Sequence, residues 1–245
     1  MKHIEILNIC RSDDQTHDTF THESLKFLSE NGFKVELAPH FKDPKSRARL
    51  FVDTVARNDL DYSWIVRGGI ETVYTLPFID FSNLKINNTI LGSSDFTHLA
   101  LPITKLGSSV WYGPTARHLS SDMNSKEREI IFKQLEDGID NNFLNIYNFT
   151  EKRVSTNNLV GGTLQILLNL IGTDYCPDLN GKNIYIEHHY IPGESVLEVK
   201  YWLNSLRLKT SIENVGSLLI GELIYADGET LADQKHQIDL IHEVF

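Results

Sequence analysis

Two kinds of apolar pattern alternate along the first half of the chain. Short runs that are apolar, or that alternate apolar with polar residues, predict strands, and longer stretches with apolar residues at helical spacing predict helices. The predicted strands lie at residues 4–9, 33–38, 62–66, 86–91 and 109–112. The predicted helices lie at residues 21–31, 46–58, 96–106 and 125–138. Strand–helix alternation at this spacing predicts a parallel sheet flanked by helices.

The second half of the chain repeats this pattern on a smaller scale. The polar, asparagine-rich stretch at residues 141–158 has little periodicity and predicts a linker. Beyond it, strands are predicted at residues 184–187 and 217–225, and helices at residues 164–171, 196–206 and 231–245. We therefore expect an α/β protein with an N-terminal parallel-sheet domain at residues 1–145 and a smaller C-terminal α/β domain at residues 146–245.

Composition narrows the possible function classes. The 245 residues suffice for a sizeable core, and the net charge of −10 argues against a general nucleic-acid binder, which needs a basic field. No apolar run is long enough to span a membrane, and the N-terminal residues alternate like a strand rather than a signal peptide. The two cysteines, Cys10 and Cys176, lack metal-type spacing. We expect a cytoplasmic protein with reduced thiols and without a nucleic-acid or membrane partner.

Two predicted strands end in short motifs that suit catalysis. The apolar run at residues 89–91 leads into Gly-Ser-Ser-Asp at residues 92–95, a strand–turn–helix junction that can present the Ser94 hydroxyl beside free helix N-terminal amides. The strand at residues 62–66 leads into Arg-Gly-Gly at residues 67–69. Because the carboxyl ends of parallel strands share one edge of the sheet, the two motifs predict a single site there.

The same residues also have structural interpretations. Serine and aspartate are the usual helix N-caps, and capping is the commoner role for a residue such as Asp95. Arg67 either binds a substrate carboxylate with both arms of its guanidinium or forms a structural ion pair at the strand end. The local pattern leaves both alternatives open.

Several short motifs follow one another along nearly the whole chain. They are Arg67-Gly68-Gly69, Leu-Gly-Ser-Ser-Asp-Phe-Thr at residues 91–97, Tyr112-Gly113-Pro114, Val-Gly-Gly-Thr-Leu at residues 160–164, and Gly-Thr-Asp at residues 172–174 followed by the strand that ends at Glu187. In this order the motifs resemble those of the serine LD-carboxypeptidases, a family that includes muramoyltetrapeptide LD-carboxypeptidases and microcin C self-immunity peptidases.

The resemblance implies a reaction and roles for individual residues. The family hydrolyses an amide beside a free carboxylate through a Ser-Glu-His triad, without a metal or other cofactor. By resemblance, Ser94 is the nucleophile and Glu187 orients the triad histidine and stabilises its cation. The backbone amides of Gly69 and Asp95 form the oxyanion hole.

The resemblance also implies how substrate is bound. Arg67 and Gly68 belong to the substrate-binding motif, and the active site is expected between the two domains. The expected partner is a small peptide substrate, either a muropeptide from recycled peptidoglycan or a peptidyl-nucleotide. A homodimer is expected as well.

The sequence departs from the family at two places. The family's Gly-His motif, which carries the triad histidine on a strand beyond the last helix, is absent from this sequence. Three explanations stay open. Another histidine serves, the protein binds ligand without turnover, or the sequence is truncated. The candidate histidines are His188, His189, His236 and His242. In addition, the family's Arg-Gly-Gly-Tyr-Gly continues here with Ile70 and Glu71, so the loop over the site is altered.

The paired histidines at 188 and 189 also raise the question of a metal site beside Glu187. Neighbouring residues on a strand point to opposite faces, so Glu187 and His189 share a face and His188 does not. The helical His-Glu-x-x-His motif of zinc peptidases is absent. We therefore predict no metal site.

Overall fold

The computed structural model describes residues 1–14, 18–120, 125–138, 158–189, 195–210, 214–224, 226–227, 230–231 and 234–245. The chain divides into two compact units, Met1–Asn141 and Asn142–Phe245. Of the linker predicted at residues 141–158, only Asn158 lies within the described ranges.

The first unit contains five strands and four helices. Its strands are β1 (His3–Leu7), β2 (Lys34–Leu37), β3 (Tyr62–Ile65), β4 (Thr89–Gly92) and β5 (Trp111–Tyr112). Its helices are α1 (Thr19–Glu30), α2 (Pro44–Val55), α3 (Thr97–Lys105) and α4 (Ser125–Asp137). Five single 3-10 turns complete it, at Thr72–Tyr74, Leu76–Phe78, Phe81–Asn83, Ser94–Phe96 and Ala116–Leu119.

The five strands form one parallel sheet in the order β2-β1-β3-β4-β5. This confirms the predicted fold class for the first unit. Every residue of β1 and β3 is buried, as expected for a parallel sheet covered on both faces. Alternate residues such as Ile4, Ile6 and Trp64 enter one core cluster with Leu28 of α1 and Leu135 of α4.

The strand order reverses between β1 and β3, and this position determines where a site can form. β2 lies on one side of β1, while β3, β4 and β5 follow on the other. In open parallel sheets, ligands bind at the carboxyl edge beside such a reversal, because the connecting chains leave in opposite directions and open a crevice. The segments that follow β1 and β3 are residues 8–13 and residues 66–72.

Two helices start earlier than the sequence pattern predicts. α1 begins at Thr19 because the Asp18 side chain accepts a hydrogen bond from the amide of Thr21 at 2.6 Å. α2 begins at Pro44 because the Asp43 side chain accepts from the amide of Ser46 at 2.8 Å. Both aspartates are N-caps, and capping residues rather than apolar spacing determined these boundaries.

The second unit contains a smaller parallel sheet in the order β6-β7-β8, formed by β6 (Leu159–Thr163), β7 (Asn183–His188) and β8 (Ser217–Leu223). Its helices are α5 (Leu164–Leu170), α6 (Val196–Thr210) and α7 (Gln234–Val244), and two short strands, β9 (Ala226–Asp227) and β10 (Thr230–Leu231), pair with each other. This confirms the smaller α/β domain of the predicted fold class.

Two predictions for the second unit were wrong in detail. Residues 159–163 form a strand that the pattern did not predict, because adjacent glycines interrupt its apolar run. Gly161 is required there, since its φ is 151° and a Cβ would overlap the carbonyl oxygen of Tyr185 on β7. The last helix begins at Gln234 rather than at residue 231, because Leu231 belongs to β10.

None of the helices in the described ranges is long and apolar enough to cross a membrane.

Candidate active site

Ser94 lies on a sharp turn between a strand and a helix. β4 ends at Gly92, and Ser94 begins the 3-10 turn that leads directly into α3. The φ of Ser94 is 58°, and Asn158 is the only other non-glycine residue with a positive φ in the described part of the chain. Serine adopts this left-handed conformation at a cost, so its surroundings must hold it there. A strained strand-to-helix turn is the geometry that exposes a nucleophilic serine in α/β hydrolases.

Gly92 allows this turn to close tightly. A Cβ on Gly92 would lie 2.8 Å from Cγ of Phe96 and 2.9 Å from Cγ1 of Ile65. Both distances are far below ordinary carbon–carbon contact. Phe96 therefore packs directly over the end of the strand, where it is fully buried. The glycine in the Gly-Ser-Ser-Asp motif is thus a packing requirement of the turn.

Tyr112 holds the backbone of Ser94. The Ser94 amide donates a hydrogen bond to the Tyr112 hydroxyl at 2.9 Å. Oγ1 of Thr97 donates to the Ser94 carbonyl at 2.6 Å and lies 3.1 Å from the same tyrosine hydroxyl. In the sequence, Tyr112 stands out only as part of a Tyr-Gly-Pro motif. Its position at the end of β5, the strand next to β4, is the signal that could have marked it as a neighbour of Ser94.

The second predicted motif lies against the first. We call residues 67–72, which follow β3, the Gly-Gly loop. A Cβ on Gly68 would lie 2.8 Å from Cβ and 2.9 Å from Oγ of Ser94. A Cβ on Gly69 would overlap the carbonyl oxygen of Cys10, which follows β1. Both glycines are therefore required for close approach, and the structure brings Gly68 and Ser94 together as the strand ends predicted.

The Asp95 side chain connects the nucleophile turn to the Gly-Gly loop. Oδ2 of Asp95 accepts hydrogen bonds from the amide of Thr72 at 2.8 Å and from its hydroxyl at 2.6 Å. Oδ1 lies 3.0 Å from Nδ1 of His98, and the Asp95 side chain is only 1% exposed. The carboxylate is thus neither a helix N-cap of α3 nor open to solvent.

Two backbone amides at this edge have no hydrogen-bond acceptor within the described part of the chain. Within the described ranges, neither the Asp95 amide nor the Gly69 amide donates a hydrogen bond to another residue. The nitrogen of Asp95 lies 3.8 Å from the position of a Cβ on Gly68. Amides at the first turn of a helix have no partner inside the helix and are available to an external anion.

Cationic side chains surround the Gly-Gly loop. Burial lowers the pKa of the half-buried Arg67, and the neighbouring cations Arg117 and Arg11 lower it further. The amide of Arg117 donates to the carbonyl of Val66 at 3.1 Å, which places it directly beside Arg67. Arg11 forms a two-armed ion pair with Asp13, and Arg117 pairs with Asp18 at 3.2 Å. These carboxylates offset part of the positive charge beside Arg67. A guanidinium such as that of Arg67 can bind a carboxylate through two parallel hydrogen bonds.

Glu187 lies on the central strand of the second unit. Its carboxylate is largely buried, and it accepts hydrogen bonds from Oγ1 of Thr163 at 3.5 Å and from the Tyr185 hydroxyl at 3.3 Å. Nε2 of His189 lies 3.6 Å from Oε1 of Glu187. Glu187 and His189 therefore contact each other, as strand alternation predicted.

The two neighbouring histidines differ in their environments. The His189 side chain is 53% exposed, and its contact with the Glu187 carboxylate raises its pKa. His188 is fully buried, with its ring centroid 5.0 Å from that of Trp202. His236 and His242 lie on α7. Of these histidines, His189 lies against the Glu187 carboxylate.

The surroundings of the Ser94 hydroxyl and the grouping of possible metal ligands bear on the chemistry of the site. Among the described residues of the first unit, no side chain hydrogen-bonds the Ser94 hydroxyl. No group of three or more His, Cys, Asp and Glu side chains within the described residues is arranged to hold a metal ion.

Family models match most of this chain. Residues 4–113 match the LD-carboxypeptidase N-terminal domain, and residues 156–245 match the LD-carboxypeptidase C-terminal domain. A comparison with curated protein sequences finds no significant match.

Solved structures share the fold at low sequence identity. Muramoyltetrapeptide carboxypeptidase from Oxalobacter formigenes is 18% identical, with a TM-score of 0.77 over 99% of this chain and 84% of its own. The microcin C7 self-immunity protein MccF, in complex with aspartyl sulfamoyl adenosine, is 18% identical, with a TM-score of 0.77 over 99% and 83%. An MccF-like protein from Bacillus anthracis str. Ames is 19% identical, with a TM-score of 0.76 over 99% and 82%.

Proposed function

This chain belongs to the LD-carboxypeptidase family, and from that premise we propose that it is a serine hydrolase with Ser94 as its nucleophile. The observation that carries the proposal is the positive φ of Ser94 at the turn between β4 and α3. Strained residues of this kind persist where function requires them. In the proposed reaction Oγ of Ser94 attacks the carbonyl carbon of an amide beside a free carboxylate.

The proposed oxyanion hole consists of the backbone amides of Gly69 and Asp95. Attack by serine converts the substrate carbonyl oxygen to an oxyanion, which needs preorganised donors. Asp95 follows the nucleophile directly, and Gly69 follows Gly68, whose Cβ position lies against Ser94, which supports this proposal. One such donor is typically worth about 3 kcal/mol of the barrier.

We propose that His189 is the general base, oriented by Glu187. The neutral imidazole donates from Nε2 to Glu187, which makes Nδ1 the atom that accepts the proton of the attacking hydroxyl in this proposal. Glu187 stabilises the imidazolium that results, which is the physical meaning of the raised pKa of His189. The imidazolium then protonates the leaving amine, and an acyl-enzyme on Ser94 remains. A water molecule, deprotonated by the same histidine, hydrolyses the acyl-enzyme and restores the serine.

The proposed substrate is a peptide derived from peptidoglycan or a related peptidyl conjugate. The names of the structural neighbours support both, because one is a muramoyltetrapeptide carboxypeptidase and another holds aspartyl sulfamoyl adenosine. The Arg67 guanidinium is proposed to bind the free carboxylate of the substrate, and the adjacent Gly68 is proposed to contact the substrate beside it. No cofactor takes part in this proposal. The homodimer and the cytoplasmic location stay predictions, and light scattering tests the first of them.

A second candidate is a homologue that binds such a ligand without turnover. It is favoured by the altered loop, in which Ile70 and Glu71 follow Arg-Gly-Gly, and by a Ser94 hydroxyl that receives no hydrogen bond from the described side chains of its own unit. Without a base, serine stays protonated and is a poor nucleophile. Calorimetry with a tetrapeptide stem would then show binding in the absence of cleavage.

Covalent labelling separates the two candidates. The protein is treated with a fluorophosphonate probe, and intact mass is measured for wild type, Ser94→Ala and Ser93→Ala. Ser93 is the matched control, because it is the adjacent serine on the same turn. A single adduct on wild type and Ser93→Ala that is lost in Ser94→Ala supports the hydrolase. No adduct on any of the three proteins contradicts an activated Ser94 and supports the binding homologue.

A further inference from the structure

A buried arginine on α2 has its ion-pair partner in the Gly-Gly loop. The Arg47 side chain is only 1% exposed, and its Nη1 donates to Oε2 of Glu71 at 2.7 Å. A buried guanidinium is expensive unless a carboxylate compensates its charge. Glu71 is the one carboxylate that pairs with Arg47 among the residues described. The pair is therefore an obligatory contact between α2 and the loop.

Glu71 is held at three atoms. Besides the bond from Arg47, its Oε1 accepts from the Ser12 hydroxyl at 2.8 Å, and its backbone amide donates to the carbonyl of Cys10 at 3.2 Å. Burial of the Glu71 carboxyl opposes its ionisation, but the hydrogen bonds from Arg47 and Ser12 outweigh this effect and lower its pKa. Glu71 is thus an anion at neutral pH, with both carboxylate oxygens in use.

These contacts determine the position of Gly69. The glycine lies between Gly68, which packs on Ser94, and Glu71, two residues later. The residue after Glu71, Thr72, is held in turn by Asp95. With its ends held on both sides, a segment this short leaves the Gly69 amide few orientations. The Glu71 carboxylate joins the loop to α2, because it binds Arg47 on that helix.

The ion pair between Arg47 and Glu71 depends on a residue in which this sequence departs from the family pattern. Where the family pattern has Arg-Gly-Gly-Tyr-Gly, this chain has Glu71 in place of the last glycine. A glycine there has no side chain with which to bind a buried arginine. Glu71 and Arg47 therefore form a pair that the pattern of the family loop does not include.

We propose that Arg47 is a positioning residue, which holds the Gly69 amide in the oxyanion hole through its ion pair with Glu71. This inference rests on the proposed function, because it assigns the Gly-Gly loop a role in stabilising the oxyanion. Arg47 itself touches neither Ser94 nor the substrate in this proposal. Its effect is on the rate of attack, not on ligand affinity.

The test compares Arg47→Met with Arg49→Met. Arg49 is the matched control, because it is an arginine on the same helix, is 84% exposed, and pairs within the described residues with Asp53 at 3.5 Å. Fluorophosphonate labelling is measured against probe concentration, which separates the maximal rate kinact from the probe constant KI. We expect Arg47→Met to lower kinact by about 10- to 100-fold with KI unchanged, because a displaced donor weakens only the transition state. Arg49→Met should label like wild type.

Three further variants extend the test, and the first of them keeps it informative if Arg47→Met does not fold. Ser12→Ala removes one hydrogen bond from Glu71 and leaves the ion pair, so a smaller loss in kinact is expected. Arg47→Lys keeps the charge but loses the planar fork, so it should recover part of the rate lost in Arg47→Met. Arg47→Met combined with Glu71→Met should be no slower than Arg47→Met alone, because both changes remove the same support.

Hydrogen exchange of the Gly-Gly loop provides a readout that needs no activity. Peptides that cover residues 67–75 should exchange faster in Arg47→Met than in Arg49→Met, while peptides from α3 are unchanged. If wild type does not label, the proposed function fails, yet faster loop exchange still supports the positioning role of Arg47. Equal loop exchange in the two variants, or an unchanged kinact in Arg47→Met, overturns the proposal.

Discussion

Replacing Gly69 by alanine is the sharpest test of the oxyanion hole. A Cβ at this position would overlap the carbonyl oxygen of Cys10 and lie 2.9 Å from its carbonyl carbon and 2.7 Å from Cγ of Arg11. Ordinary carbon contacts are about 3.5–4.0 Å, so the loop must move by about 1 Å. The Cys10 atoms are backbone next to a buried strand and cannot yield instead.

The size of the effect follows from that displacement. Misplacing a catalytic group by about 1 Å costs on the order of 100-fold in rate, which corresponds to about 2.7 kcal/mol of barrier. Overpacking at the site is also expected to lower the free energy of unfolding by about 1–3 kcal/mol. Gly69→Ala should therefore label with a fluorophosphonate probe about 100-fold more slowly than wild type at saturating probe.

The assay pairs labelling rates with thermal unfolding. Gly113→Ala is the matched control, because Gly113 follows β5 of the same sheet and its added Cβ would lie no closer than 3.2 Å to Nε1 of Trp111. The control should label at close to the wild-type rate. A folded Gly69→Ala protein that labels as fast as wild type would refute the assignment of the Gly69 amide to the oxyanion hole.

Further predictions concern the other groups of the site. Ser94→Ala should lose all labelling in intact-mass spectra while keeping the wild-type unfolding temperature or exceeding it, because alanine also carries the strained φ. Tyr112→Phe removes the acceptor of the Ser94 amide and should lower the free energy of unfolding by about 1 kcal/mol in denaturant titrations, with slower labelling. Labelling should rise with pH as His189 loses its proton, with a midpoint above the ordinary histidine value of about 6.5. Glu187→Gln should move that midpoint to lower pH, because the lost carboxylate no longer favours the imidazolium; an unmoved midpoint would contradict His189 as the base.

Much of the architecture follows from local pattern. The five strands of the first unit occur where apolar runs predicted them, although β4 begins at Thr89 rather than at residue 86. The strand ends that carry Ser94 and the Gly-Gly loop meet because carboxyl ends of parallel strands share one edge. The side-by-side position of Glu187 and His189 likewise follows from the two-residue period of a strand.

The supports of the site could not be predicted in this way. Asp95 binds Thr72 across 23 residues, Arg47 binds Glu71 across 24 and Tyr112 binds the Ser94 amide across 18. Each contact joins segments whose local patterns are independent of one another. Asp95 shows the difficulty, since the commonest role of an aspartate at a helix start is capping, yet here it binds the neighbouring loop.

The sequence by itself determined the alternation of strands and helices and the parallel sheets that follow from it. It also contains the motifs around Gly69, Ser94 and Glu187 that resemble those of one family. Periodicity and chain connectivity suffice for these features, because both act over a few residues. The tertiary structure alone decided which side chains hold the nucleophile turn and which carboxylate pairs with the buried Arg47. Those choices depend on packing between distant segments, where a buried charge or amide must find its partner wherever the fold places one.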